Sequence, residues 1–322
     1  MSCLIRVAMI VVTACLMVNG ALAKESAGVL IPTGIFATGP FHVIDVSESS
    51  RLEYQAYSER GTMYAGASGA GDPAVTLVAN IIAAMMIDPI MDASAQSELR
   101  EKTQPLREKL PNDDARLIYF KQLQHELAKI QNSPQGLSWH QGEAALDESG
   151  FPVLKTELHL VMDQTMNRVN ATVLMRWFEK KGQSSPSLEK VASFISDELP
   201  NNGKPAQTLE NRIQQLIADD GCIVNERIQQ ALNGVAGVAA FVISGEAEQG
   251  QSAGQRVIAT TRGSAKVRGT AAYRSGSLLF VRDDDGRIFG FNAKKLYYTE
   301  TKERLKFPKV SGLDEQTCQK VA

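Results

Sequence analysis

The stretch FPVLKTELHLVMDQTMNRVNATVLMRWFEK, residues 151–180, decides the fold. Leu154, Leu158, Leu160 and Met162 share one parity, while Lys155, Glu157, His159 and Asp163 share the other. After the polar break QTMN, Val169, Ala171, Val173, Met175 and Trp177 alternate with Arg168, Asn170, Thr172 and Arg176. Side chains on a strand point to opposite faces in turn. Two alternating runs around a short break therefore predict an antiparallel hairpin with one buried face and one wet face.

Outward from the hairpin, the chain passes through strands, helices, the hairpin, helices and strands again, an order that predicts an α+β fold of mostly antiparallel sheets. FHVIDV and RLEYQAY, divided by SESS, supply an N-terminal strand segment. DDARLIYFKQLQHELAKI follows as an amphipathic helix, with Asp113 or Asp114 as N-cap and a stripe of Leu117, Phe120, Leu123, Leu127 and Ile130. Pro105 divides the charged segment before it. Beyond the hairpin, a helix is expected from Ser185-Pro186 to Pro200, and another from Thr208, interrupted at Asp220-Gly221. The last ninety residues predict a C-terminal meander of VAGVAAFVIS, QRVIATT, KVRGTAAY, GSLLFVR and RIFGFN, with a tight turn at DDDG. The loop-like residues 131–150 mark a boundary, giving a removed segment 1–23 and units 24–135 and 150–322.

The first residues, MSCLIRVAMIVVTACLMVNGALAKES, describe an export signal: one positive charge at Arg6, a short apolar run and an Ala-Leu-Ala ending. Cleavage between Ala23 and Lys24 is the expected outcome, placing the protein in the periplasm. The alternative is a lipoprotein anchored at Cys15, through Val12-Thr13-Ala14-Cys15, although Leu16-Met17-Val18 continues the apolar run beyond it. Once the signal is removed, Cys222 and Cys318 are the two cysteines left, and an oxidising compartment predicts a disulfide between them. Closing about 96 residues would contribute roughly 4–5 kcal/mol in the chain-entropy model.

Composition excludes some roles. With 34 basic and 36 acidic residues the formal charge is −2, so no nucleic-acid partner is expected, and the aromatic content of 6% argues against stacking platforms. Complete catalytic motifs are absent. HELAK begins at His125 like a zinc-binding helix, but Lys129 stands where the second histidine belongs. Glu157, His159 and Asp163 have the right ligand types for a divalent ion, yet same-face neighbours on a strand stand roughly 7 Å apart. GASGAG faintly resembles a phosphate loop without its lysine, and a flexible joint is the expected role. No metal or cofactor is expected.

Ser187-Leu188-Glu189-Lys190 fits S-x-x-K, in which a lysine one helical turn on can help deprotonate a serine, but the companion motifs K-T-G and S-D-N are missing. The expectation is a non-catalytic envelope protein that binds a partner or supports assembly. A secreted serine hydrolase using Ser187 and Lys190 is the alternative, and a small-ligand carrier is a further one. The apolar stretch Ala74–Ile87 is too short to span a bilayer and is expected to be a buried helix. Its second role would be contact with an envelope protein or a membrane surface.

Overall fold

The computed structural model describes residues 40–47, 52–54, 101–110, 114–130, 136–142, 152–162, 166–199, 209–245, 254–262 and 266–307. The expected export signal with Cys15, Ala23 and Lys24, the GASGAG and Ala74–Ile87 stretches, Asp163 and Cys318 all lie outside them.

The strands are β1 (His42–Asp45), β2 (Glu53–Tyr54), β3 (Ser138–Gln141), β4 (Val153–Met162), β5 (Val169–Phe178), β6 (Leu188–Ile195), β7 (Arg256–Thr261), β8 (Lys266–Ser275), β9 (Leu278–Arg282), β10 (Ile288–Tyr298) and β11 (Arg304–Lys306). The helices are α1 (Gln104–Lys109), α2 (Ala115–Lys129), α3 (Leu209–Ile217) and α4 (Cys222–Ile243). All strands join one sheet in the order β3-β1-β4-β5-β6-β10-β7-β8-β9, with β2 beside β4 and β11 beside β10. Most pairings are antiparallel; β1–β3, β1–β4, β2–β4 and β6–β10 are parallel. The fold is α+β with a large, mostly antiparallel sheet.

The 151–180 hairpin forms in register from Val153↔Phe178 to Met162↔Val169, and the predicted apolar parity is buried throughout; the parity expected to be wet is half-buried, and fully buried at Val153, Val161, Asn170 and Thr172. The apolar face carries the main core. α4 lies against β5, β6 and β10, and α2 packs on α4. Asp114 caps α2 by accepting from the Arg116 amide at 3.0 Å. The buried stripe of α2 is Ala115, Tyr119, Phe120, Leu123 and Leu127, whereas Leu117 points to solvent at 40% exposure, so the predicted stripe is corrected at that position. Pro105 sits in the first turn of α1, where its missing amide proton costs nothing.

Two predicted elements change type. The helix expected after Ser185-Pro186 is strand β6. Leu188, Val191, Ala192 and Ile195 happen to fall at helical spacing, but the segment is hydrogen-bonded as a strand to β5 on one side and β10 on the other. VAGVAAFVIS, expected as a strand, is the second half of α4, which runs unbroken for 22 residues. A short all-apolar run has no readable period; here it continues the helical period of IVNERIQQAL and is buried on most sides. Asp220 and Gly221 both take left-handed conformations and turn the chain between α3 and α4. β3 arises in the segment read as a boundary loop, and β11 was not foreseen.

The C-terminal strands close on themselves. β7 pairs β8, β8 pairs β9, β9 pairs the first half of β10, and the second half of β10 returns to β7. Inside this ring Val257, Ala259, Val267, Leu279, Val281, Phe289, Phe291 and Leu296 form a second core. Closure removes exposed edges that would otherwise pair with other chains.

Candidate interaction surface

The helices cover the Leu154–Trp177 face of the central strands, which leaves the opposite parity to present polar groups. His42, His140, Lys155, Glu157, His159, Arg176 and Glu189 all belong to that second face by register. Arg176 ties it together: Nη1 donates to Glu157 Oε2 at 3.1 Å and Nε to Glu189 Oε2 at 3.0 Å. His159 Nε2 stands 3.1 Å from Glu157 Oε1. The hydrogen bond from His159 and the charge of Arg176 hold the Glu157 carboxyl below the usual glutamate range. The result is a Glu189–Arg176–Glu157–His159 run across three strands.

At the sheet edge His42 Nδ1 lies 3.0 Å from His140 Nε2, so one ring nitrogen donates to the other. Burial, and then the neighbouring His140, lowers the His42 pKa. Lys155 Nζ sits 4.9 Å over the Phe178 ring. Deeper along the face Thr172 and Ser193 share a hydrogen bond of 3.0 Å, and Asn170 is buried with neither amide atom hydrogen-bonded.

A different group of polar residues fastens α2 to the sheet. Ser47 donates through both its amide and its hydroxyl to buried Asp45, while Leu158 N donates to Ser47 Oγ at 2.8 Å. Arg116, oriented by Asp114, donates to the Ser47 carbonyl at 3.1 Å. Burial raises the Asp45 pKa despite the serine bonds and Arg116. Burial and the Asp45 charge push the Tyr119 hydroxyl far up, so it stays protonated. The group's bonds join α2 to β1 and β4, and the Ser47 hydroxyl is committed to Asp45 and to the Leu158 amide.

The S-x-x-K pattern loses its premise. Ser187 precedes a strand, not a helix, and residues three apart on an extended chain project to opposite faces. The Ser187 hydroxyl accepts from Gln183 Nε2 at 2.9 Å and its amide donates to the Trp177 carbonyl, closing the β5–β6 turn. Lys190 is registered against Met175. Glu157 and His159 do meet as the hairpin pattern implied, but no group of three metal-ligating side chains occurs among the described residues. His125 lies on α2. Cys222 is the first residue of α4. Sequence parity placed Glu157, His159 and Arg176 together and missed Glu189, because its segment was read as helix.

No helix among the described residues is long and apolar enough to cross a membrane. Neither protein-family models, nor curated proteins, nor solved structures give a match to this chain.

Proposed function

We propose that this chain is an exported, non-catalytic protein of the cell envelope that binds a protein partner through the polar face of its central sheet. The Glu189–Arg176–Glu157–His159 run carries the reading. It holds charged groups of both signs in fixed cross-strand positions, on the face turned from the helices. Such fixed charge patterns favour selection of one partner over another. Export rests on the signal pattern of residues 1–23, with cleavage at Ala23–Lys24, or on an anchor at Cys15 in its place. In that compartment Cys222 and Cys318, the two cysteines beyond the signal, pair as a disulfide.

The test is site-specific photo-crosslinking in intact cells. A photoreactive residue at Leu174, half-buried amid the charged run, is expected to capture one discrete protein, and Arg176→Glu is expected to abolish the adduct. The same probe at exposed Leu117 on α2 serves as the control. Adducts of equal yield from both positions, or none from Leu174, would overturn the proposal.

A further inference from the structure

The formal charge of −2 is an average that conceals a strongly basic segment. Residues 254–307, the closed C-terminal ring with β11, hold twelve Lys or Arg against five Asp or Glu, a formal charge of +7. Register then sorts these charges. On the outer surface one cross-strand row runs Lys306, Lys295, Thr260, Lys266 across β11, β10, β7 and β8. The next row, two residues along, runs Arg304, Tyr297, Ile258, Arg268. Five cations therefore share one face with a tyrosine and an isoleucine between them, and neither row contains an acid.

A β-bulge makes this arrangement. Phe289, Phe291 and Ala293 face the interior in strict alternation, which would carry Lys295 inward. The register shift between Ala293 and Lys295 resets the phase, so that Leu296 packs inside and Lys294 and Lys295 are exposed. Lys295 is thereby directly opposite Lys306, a like-charge pairing that works against sheet stability. The five acids of the segment stand in turns, not in the rows. Asp284 pairs with Arg256, and Asp283 and Asp285 with Arg287, while Glu300 and Glu303 lie in the β10–β11 turn. Arg304 stacks over Tyr297, its carbon 5.6 Å from the ring centre.

We propose that the outer face of β11-β10-β7-β8 docks on a membrane surface rich in anionic phospholipid. The rows are roughly 7 Å apart and the strands about 4.8 Å, so the five cations cover a patch about 14 Å wide. Such a patch meets several headgroups at once. Lys and Arg stems pass alongside apolar surface while their heads reach phosphate, and Tyr297 and Ile258 offer apolar area at the level of the interface. Export, as proposed above, makes phospholipid the anion source at hand. The vesicle binding itself does not depend on export or on the polar face around Arg176.

The test is sedimentation of the purified protein with vesicles of phosphatidylcholine alone or with one-third phosphatidylglycerol. Binding is expected only to the anionic vesicles and is expected to fall steeply between about 0.05 and 0.5 M NaCl. The double variant K295Q/K306Q should bind at least about tenfold more weakly while keeping the wild-type thermal midpoint within a few degrees. K180Q/K181Q, which removes two exposed lysines from the β5–β6 turn, should bind as wild type. Equal binding to neutral vesicles, binding unchanged in K295Q/K306Q, or tighter binding of a single-stranded oligonucleotide than of the anionic vesicles would each overturn the proposal. Arg176→Glu, which tests the partner-binding reading, is expected to leave vesicle binding intact, so the two proposals fail separately.

Discussion

Gly234 of α4 stands directly over the ring of Phe194 in β6: a Cβ at position 234 would lie well inside van der Waals contact with three ring carbons. The same close approach recurs one strand away, where a Cβ on Gly290 would meet Val238 and Phe194. The long helix thus lies on the sheet at a distance that only glycine allows. Gly234→Ala adds intrinsic helix preference of about 1 kcal/mol, yet overpacking here costs roughly 1–3 kcal/mol. Net destabilisation is expected in chemical denaturation. Phe194→Leu/Gly234→Ala should recover part of the loss; strict additivity of the two single changes would mean that the ring is not the obstacle.

How much of this was legible in sequence follows from the same contact. The hairpin at 151–180 could be read because one of its faces is polar and alternation leaves a period. β6 could not, because both faces of its second half, Ala192 to Ile195, are buried and its Leu188-Val191-Ala192-Ile195 spacing mimics a helix. The end of α4 was hidden for the opposite reason: VAGVAAFVI is buried over most of its surface, and a uniform apolar run carries no phase. The site suffered accordingly, with Glu157, His159 and Arg176 visible as one face and Glu189 lost with its strand.

Asp45 is buried, and its carboxyl titrates above the ordinary aspartate range. A group whose folded pKa is raised contributes stability that is full below its unfolded pKa, near 3.9, and lost as pH rises through the folded value. Asp45→Asn keeps the oxygen that accepts from Ser47 and removes the charge. Its stability relative to wild type is therefore expected to improve from pH 3 to pH 7. Thermal melts across that interval check it, and a difference independent of pH would refute the assignment.

His42 shifts the other way for a base: burial and His140 favour its neutral form. Its contribution is full above the unfolded value, near 6.5, and is lost as pH falls through the lower folded value. The wild-type protein should therefore lose stability between about pH 7 and pH 5. His42→Gln should flatten that part of the curve, and an unchanged slope in the variant would place the loss elsewhere.

The proposed Cys222–Cys318 bond has a simple readout. Thiol titration of the unfolded, unreduced, exported protein should find no free thiol, and Cys318→Ser should lower stability by up to the roughly 4–5 kcal/mol of the chain-entropy model. Two free thiols per chain would end the proposal.

Asn170 separates stability from recognition. It lies on β5 between Val161 and Ile195, 4% exposed, with both amide atoms lacking hydrogen bonds. An unpaired buried polar group costs about 1–3 kcal/mol, and asparagine is also a poor strand residue. Asn170→Leu, close in size, is therefore expected to stabilise the isolated protein by about 1 kcal/mol in urea denaturation. The amide lies on the same face as Arg176 and Glu157, two rows from the nearer of them. The fold itself shuts the amide off from a docking partner, so the same substitution is expected to leave the Leu174 photo-adduct unchanged. Loss of stability in the isolated variant would show that the amide is already satisfied in solution. A stabilised variant with a diminished adduct would show that the face around Asn170 opens when the partner binds, against the rigid surface proposed here.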